Sequence, residues 1–346
     1  MDILNAMVEV RKAVLYGAGD LRIESEAFDP ATLGARDVFV LTEVTGFSTG
    51  TDLGNYEGRS TEVPGAPDYP RGVGYSNIGV VKSVGCEVRS FRPGDRLFSM
   101  KQHRSAFVAN ESEILVPVPA GVDAEQASLA YLTHLGVAAL RRVNYQAGED
   151  VAGVGLGVIG LCTVAVAKAM GARVVAVAND DQRAGLALGL GARESYVSGS
   201  FDPTTVFDGQ GADIVVLTAN TWPAYHDSME MVRKSGRVSI LGFPGRAQPA
   251  PDFNPLEMRW IYGKQLTIAG AGYLPQIDCA PFDIRFNLRR NLAFVLDKMA
   301  SGALNLSTVI SHRFPYSRMQ EAYELARQHS KQLSAAVVDW TLAHSG

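Results

Sequence analysis

The sequence contains few cysteines, and no two of them are spaced as a metal-binding or redox motif. Only Cys86, Cys162 and Cys279 occur among its 346 residues, and no two of them form a CxxC motif. An odd number of scattered cysteines excludes a disulfide framework, and it also excludes a zinc lobe built from four cysteines. We therefore expect the protein to work in a reducing compartment, the cytoplasm.

Long apolar runs and concentrated charge are also lacking. The longest uncharged run, residues 151–167, carries four glycines and is shorter than the roughly 20 residues of a membrane span. Asp2, Glu9, Arg11 and Lys12 interrupt the opening residues, which leaves no room for the apolar core of a signal peptide. The net charge of -4 without a basic run argues against a nucleic-acid surface. We expect a protein that binds neither membranes nor nucleic acids.

The pattern of apolar residues changes twice along the chain. Up to about residue 121, short strand-like runs such as "DVFVLTEV" alternate with Gly, Pro and Asp. From residue 122 to 275, helical stretches alternate with short apolar strands, and residues 122–143 read as one helix. Residues 276–346 read as two helices before a final strand. The fold class predicted is α/β, with a β-rich module and a doubly wound parallel sheet.

A glycine-rich motif explains the long uncharged run. Gly155, Gly157 and Gly160 form a GxGxxG that follows a strand and opens a helix at Val158 and Ile159. Such glycines permit a tight turn and a close approach of the backbone to a pyrophosphate, while the helix N-terminus offers unpaired N–H donors. The motif predicts a dinucleotide site.

The end of the second strand of this βαβ unit favours NADP, with NAD left open. NAD-specific proteins place an acidic residue there, and this sequence has Ala178. Asn179 and Arg183 follow as candidate partners of a 2′-phosphate. Asp180 and Asp181 bring negative charge close to this position. Arg183 either contacts the phosphate or is simply exposed to solvent at the start of a helix.

Three motifs together resemble the medium-chain dehydrogenase/reductase superfamily. They are "TGFSTGTD", "GVGYSNIGVVKSVG" and "RPGDRLF", placed ahead of the glycine loop. The resemblance implies a GroES-like catalytic domain at residues 1–121, with 276–346 returning to it, and a Rossmann domain at 122–275. It also implies an active site in the cleft between them, and a homodimer. The segments "TGFSTGTD" and "MKQHRSAFV" are most similar to zinc-lacking branches of the superfamily, those of bacteriochlorophyllide dehydrogenases and quinone oxidoreductases.

The resemblance breaks at the zinc ligands. Where zinc-dependent members have a cysteine, this sequence has Thr49, or Ser48 if the loop is one residue longer. Where they have Gly-His-Glu, it has Gly74, Tyr75 and Ser76. Hydroxyl groups do not replace thiolate, imidazole or carboxylate ligands. We expect no catalytic zinc.

Hydrogen-bond donors must then assist the hydride chemistry of the nicotinamide. Tyr75 either presents its hydroxyl to the substrate oxygen or packs in the cleft. His103 is either the general acid-base group or a histidine of a surface loop. Asp52 either orients a hydroxyl or caps a helix, and Thr49 either passes a proton to solvent or bonds a turn. Ser48 completes the candidate catalytic residues.

Further cofactor contacts are implied at the carboxyl ends of the predicted strands. The candidates are Thr133, Thr218, Asn220, Leu241, Gly242 and Gly270. Turn formation is the alternative role for the glycines among them. His134, on an apolar helical stretch, is expected to be packed rather than catalytic.

These features together predict a zinc-independent NAD(P)-dependent oxidoreductase that acts on a small molecule. Interconversion of a secondary alcohol and a ketone, on a secondary-metabolite or sugar-like substrate, is the favoured chemistry. NADPH-dependent reduction of an enone is one alternative. A catalytically silent NADPH-binding sensor is another.

Overall fold

The chain folds into two compact units. The computed structural model describes residues 7–59, 68–245, 248–272, 286–328 and 331–344. One unit comprises Met1–Ala130 with Ile310–Gly346, and the other comprises Tyr131–Val309. The domain boundaries expected from the sequence, near residues 121 and 275, stay a prediction; the compact units change over at residues 130 and 309.

Strands and helices follow one another in an order that differs between the two units. The strands are β1 (Val8–Gly17), β2 (Asp20–Phe28), β3 (Asp37–Phe47), β4 (Arg71–Gly72), β5 (Asn77–Val84), β6 (Arg96–Ser99), β7 (Ala106–Asn110), β8 (Leu115–Pro117), β9 (Asp150–Val154), β10 (Arg173–Ala178), β11 (Glu194–Val197), β12 (Ala212–Leu217), β13 (Val232–Ile240), β14 (Thr267–Gly270), β15 (Ile310–Pro315) and β16 (Ala335–Asp339). The α-helices are α1 (Thr51–Tyr56), α2 (Ala124–Ala127), α3 (Ala130–Arg142), α4 (Val158–Ala169), α5 (Asp181–Gly189), α6 (Trp222–Met231), α7 (Leu288–Ala300) and α8 (Met319–Arg327). A short π-helix covers Arg259–Gly263.

The first unit is dominated by antiparallel strands. Its larger sheet has the order β15-β16-β3-β5-β6-β8, and β7 also pairs with β3. A smaller sheet has the order β2-β1-β4. The C-terminal strand β16 pairs with β3 so that Val338 lies opposite Thr45. This pairing brings the end of the chain, including Trp340, beside a strand that starts nearly 300 residues earlier.

The second unit is a parallel sheet with helices between its strands. Its order is β11-β10-β9-β12-β13-β14, and every neighbouring pair is parallel. Numbered from its first strand, this is the 3-2-1-4-5-6 order of dinucleotide-binding folds. The order reverses at β9, and ligands of such sheets bind outside the carboxyl ends of the strands at that point. The α/β fold class predicted from the sequence is confirmed.

The uncharged run of the sequence forms the centre of this sheet and its first helix. All five residues of β9 are buried, and so are nine of the twelve residues of α4. A strand between two parallel neighbours is covered on both faces, which explains its continuous apolar sequence. Within the described residues, no helix combines the length and apolar character that crossing a membrane requires.

The single helix predicted over residues 122–143 is wrong, because two helices occupy this stretch. Helix α2 ends at Ala127, and α3 begins at Ala130. The carbonyl oxygen of Ser128 accepts a hydrogen bond from the Ser76 hydroxyl, and the Ser128 hydroxyl donates to the Glu125 carbonyl. Side-chain hydrogen bonds of this kind compete with helix continuation and are not visible in a local apolar pattern.

Candidate active site

The glycine-rich turn joins β9 to α4, where the strand order of the sheet reverses. Gly155 has φ of +90°, and a Cβ there would lie 2.6 Å from the amide nitrogen of Ala219. A Cβ on Gly160 would lie 1.8 Å from the carbonyl oxygen of Gly155. Because no larger residue fits either position, these two glycines are required by the turn itself.

The middle glycine has a different environment, since the space beside it is open. A Cβ on Gly157 would meet no atom within 4 Å. Gly157 also caps α4 without any side-chain hydrogen bond to the first turn, which contains Val158 and Ile159. The first N–H groups of a helix have no intrahelical acceptor, and they carry the positive end of the helix dipole. This cradle fits the pyrophosphate of a dinucleotide.

The end of β10 carries the residues expected to choose between NAD and NADP. Ala178 is buried at 2% exposure and ends the strand, and Asn179 is exposed. Asp180 caps α5 by accepting a hydrogen bond from the Arg183 amide. The Arg183 Nε lies 3.7 Å from an Asp180 carboxylate oxygen, and its side chain is only 19% exposed. Arg183 is therefore held beside Asp180 rather than solvated.

Residues that follow β12 and β13 form hydrogen bonds with the glycine turn and with one another. The Thr218 hydroxyl donates to the Gly155 carbonyl oxygen. Asn220 accepts through its side chain from the Phe243 amide at 2.8 Å. The amide nitrogens of Leu241 and Gly242 both donate to the Leu217 carbonyl, at 2.8 and 2.9 Å.

The remaining cofactor candidates lie on other elements of the same unit. A Cβ on Gly242 would lie 2.4 Å from the Ala219 carbonyl oxygen, so this glycine is required by the packing of two turns. Gly270 ends β14, and its carbonyl accepts from Arg142 Nε at 3.3 Å. Thr133 is fully buried on α3 and hydrogen-bonds the Cys162 side chain.

The Asp52 carboxylate links the two loops that carry the candidate catalytic residues of the first unit. Its Oδ2 accepts from the Ser48 amide at 2.9 Å, and its Oδ1 accepts from the Gly74 amide at 3.2 Å. Asp52 is 1% exposed and lies within the first turn of α1, whose cap residue is Gly50. Its observed role is therefore to tie two backbone segments together, which differs from helix capping.

His103 is buried and is not the surface-loop histidine of the alternative interpretation. Its exposure is 0%. Its Nδ1 lies 2.6 Å from Thr45 Oγ1, and its Nε2 lies 3.7 Å from Asp52 Oδ2. Its ring also fills the place where Gly74 would carry a side chain, since a Cβ there would lie 2.4 Å from His103 Cδ2. The Nε2 atom has no hydrogen-bond partner among the described residues.

The residues at the expected zinc-ligand positions offer hydroxyl groups. Thr49 and Tyr75 are partly exposed, whereas Ser48 and Ser76 are each 3% exposed. In the part of the chain that the structure describes, no group of three or more His, Cys, Asp and Glu side chains comes together as metal ligands would. Zinc sites in proteins use three or four such ligands. This donor set does not fit a zinc ion.

Sequence reasoning missed several residues around His103. Trp340 Nε1 donates to Thr45 Oγ1 at 2.9 Å. Tyr323 is fully buried, and its hydroxyl has no hydrogen-bond partner among the described residues. Burial raises the pKa of Tyr323 well above its usual value, and the nearby Asp52 charge acts in the same direction. No local motif marks these residues, because they come from a segment distant in sequence, Trp340 next to β16 and Tyr323 on α8.

Two further polar groups are packed, and neither contributes to the candidate site. His134 is 3% exposed, and its Nδ1–H donates to the Tyr131 carbonyl, as expected for a packed histidine. Burial lowers the pKa of His134 to about 4. Cys162 is fully buried, and burial raises the pKa of its thiol to about 12, so it is an inert thiol. Cys279 lies outside the described residues.

Comparisons with known proteins match part of the second unit and, for one relative, most of the chain. The zinc-binding dehydrogenase family matches residues 158–281, which lie within the second unit. An L-threonine 3-dehydrogenase from Anaeromyxobacter sp. (strain Fw109-5) is 25% identical over 312 residues, which cover 78% of this chain and 82% of that protein. The family match does not reach the loops around Ser48 and Tyr75.

Solved structures share the fold over nearly the whole length. A protein of Sinorhizobium meliloti 1021 bound to NADP has a TM-score of 0.76 and 20% identity, covering 96% of this chain and 99% of its own. A short chain alcohol dehydrogenase from Escherichia coli CFT073 complexed with the cofactor NADH has a TM-score of 0.78 and 18% identity, with the same coverage. At these identities the likeness concerns the fold.

Proposed function

We propose that this chain, an oxidoreductase similar to the medium-chain dehydrogenases/reductases, interconverts a secondary alcohol and a ketone with NAD(P). The observation that carries the proposal is the cradle at Gly157, open beside an uncapped helix N-terminus. The amides of the first turn of α4 bind the pyrophosphate there. When bound, the nicotinamide supplies or accepts the hydride.

NADP is the proposed cofactor, with NAD as the alternative. The support is the absence of an acidic side chain at Ala178, which removes a partner of the ribose hydroxyls and a source of repulsion against a 2′-phosphate. Arg183 and Asn179 are the proposed contacts of that phosphate. Asp180 opposes this choice, because its carboxylate lies 3.7 Å from Arg183 Nε.

We propose that no zinc takes part. The hydroxyl side chains of Ser48, Thr49 and Tyr75 stand where zinc ligands are expected, and hydroxyls are poor zinc ligands. Tyr75 is partly exposed, and in this proposal its hydroxyl donates to the substrate oxygen and stabilises the charge that develops there. Thr49, also partly exposed, passes the proton on toward solvent.

A cytoplasmic homodimer acting on a secondary-metabolite or sugar-like molecule completes the proposal. Among the described strands, β14 is at the edge of the parallel sheet. Leu256, Met258 and Tyr262, which precede it, are 65%, 77% and 80% exposed. Large exposed apolar side chains beside an unpaired edge are typical of an interface between subunits.

A thermal-shift titration with NADPH and NADH tests the cofactor site. A ligand at 100 times its dissociation constant stabilises the folded state by about 2.7 kcal/mol. We expect the larger shift with NADPH. Gly157→Asp fits the open space without disturbing the fold, and its carboxylate repels the pyrophosphate, so this variant is expected to lose the shift. Gly185→Asp is the matched control, because Gly185 also has nothing within 4 Å.

The same titration identifies the outcomes that contradict the cofactor proposal. No shift with either cofactor, or equal shifts for wild type and Gly157→Asp, would exclude this site. A larger shift with NADH would overturn the preference for NADP. Turnover of a panel of ketones and enones, followed by nicotinamide absorbance, then separates carbonyl reduction from reduction of a carbon–carbon double bond.

A further inference from the structure

The Thr45 hydroxyl is the hydrogen-bond partner of His103 Nδ1. The Trp340 indole can only donate, so Thr45 Oγ1 accepts from it at 2.9 Å. The Thr45 hydroxyl keeps its own hydrogen and a second acceptor site, so it either donates to His103 Nδ1, 2.6 Å away, or accepts from it. Donation by Thr45 places the single proton of a neutral imidazole on Nε2. That atom faces Asp52 Oδ2 at 3.7 Å.

The Asp52 carboxylate is held by surrounding polar hydrogens, because a buried charge is costly without partners. Asp52 is 1% exposed and receives the backbone N–H groups of Ser48 and Gly74. His103 Nε2 lies 3.7 Å from Asp52 Oδ2, which is beyond hydrogen-bond distance but within reach of electrostatic attraction. Among the described residues, Tyr323 on α8 also lies near Asp52, and burial raises its pKa well above its usual value. Tyr56 on α1 donates to Glu324 at 2.5 Å, and burial together with this bond raises the pKa of Tyr56 to about 12.

The contacts of this pair reach both catalytic loops. Asp52 bonds the backbone of Ser48 and of Gly74, which directly precede Thr49 and Tyr75 in sequence. The ring of His103 packs against Gly74, where a Cβ would lie 2.4 Å from Cδ2. Asp52 therefore contacts both loops directly, and His103 contacts the Gly74 loop directly.

We propose that Asp52 and His103 form a buried positioning pair, which holds the loop of Ser48 and Thr49 and the loop of Gly74 and Tyr75 in place for reaction at the Tyr75 hydroxyl. The inference rests on the proposed function, since that function gives Tyr75 its role. His103 is a positioning residue because its 0% exposure keeps its ring away from a substrate. Proton exchange with the substrate is left to the partly exposed Tyr75.

The first test needs no substrate, so it is independent of the proposed function. Side-chain ¹H–¹⁵N spectra of the full chain with ¹⁵N-labelled histidine report the tautomer of each of the six histidines. We expect one signal set with the proton on Nε2 and slow exchange with solvent, absent in His103→Gln and shifted in Asp52→Asn. A His103 ring with its proton on Nδ1, or one that exchanges rapidly, would overturn the pair.

The second test measures kinetics on the substrate that the panel identifies. Misplacing a reacting group by about 1 Å costs about 100-fold, so kcat should fall about 100-fold in His103→Leu and in Asp52→Asn. The dissociation constant of NADPH should stay unchanged. His103→Gln, which keeps an N–H donor, should recover most of the loss. The double variant should be no slower than the slower single variant, because the two residues act as a unit.

His134→Leu is the matched control, since it makes the same change at another buried histidine. It should lower stability and leave kcat unchanged. An unchanged kcat in folded His103→Leu, or losses that multiply in the double variant, would overturn the positioning role. If His103→Leu fails to fold, His103→Gln and Asp52→Asn carry the kinetic test. An inactive wild type would contradict the proposed function, while the spectra still decide whether the pair exists.

Discussion

A single missing side chain, that of Gly74, makes room for His103. Gly74 has φ of +85°, and a Cβ there would lie 2.4 Å from His103 Cδ2. We expect Gly74→Ala to lower the free energy of unfolding by about 3 kcal/mol, through backbone strain and displacement of the ring. Gly94→Ala is the matched control, with φ of +94° and no atom within 4 Å, and should lose only about 1 kcal/mol. Urea unfolding measures both, and equal losses would contradict the contact.

At the same scale, His134 makes stability depend on pH. Burial lowers its pKa from 6.5 to about 4, so the unfolded chain binds a proton that the folded protein does not. The folded state is therefore not penalised by His134 above pH 6.5, and it loses stability relative to the unfolded chain as pH falls from 6.5 toward 4. The full effect is about 3 kcal/mol. Unfolding free energies of wild type and His134→Asn should therefore converge as pH falls from 7 to 4.5. A constant difference between the two proteins would contradict the buried neutral state.

Among the elements, helix α6 has its C-terminal carbonyl groups capped by a lysine that lies outside the helix. Lys264 Nζ donates to the carbonyl oxygens of Met229, Glu230 and Val232 at 2.7 to 2.9 Å, and burial lowers its pKa. The last carbonyls of a helix otherwise lack partners. We expect Lys264→Met to cost about 2 kcal/mol, measured by urea unfolding. Lys234→Met, at an exposed position, is the control and should cost almost nothing. Similar losses would show that the capping contacts contribute nothing.

The sequence predicted elements well where burial is continuous. Strand β9 and helix α4 were predicted from apolar residues and the glycine motif, since a central parallel strand is covered on both faces. The break between α2 and α3 was not predicted. At this break the Ser76 hydroxyl, from the loop just before β5, reaches the Ser128 carbonyl 52 residues further along the chain.

At the scale of the whole molecule, the two parts of the candidate site differ in how far sequence could define them. The cofactor cradle is local in sequence, so a motif of six residues was sufficient to place Gly155, Gly157 and Gly160. The surroundings of His103 are not local. Thr45 and Trp340 meet there because β16 pairs with β3. The burial of His103 could therefore not be read from its polar neighbours Gln102 and Arg104.

Metal dependence is the measurement that tests the account most directly. The protein is dialysed against a strong zinc chelator, and its metal content and its turnover with NADPH on the best ketone of the panel are measured on the same sample. We predict full turnover with far less than one zinc per chain, because hydroxyl side chains stand at the expected ligand positions. Turnover that disappears on chelation and returns on adding zinc would contradict it.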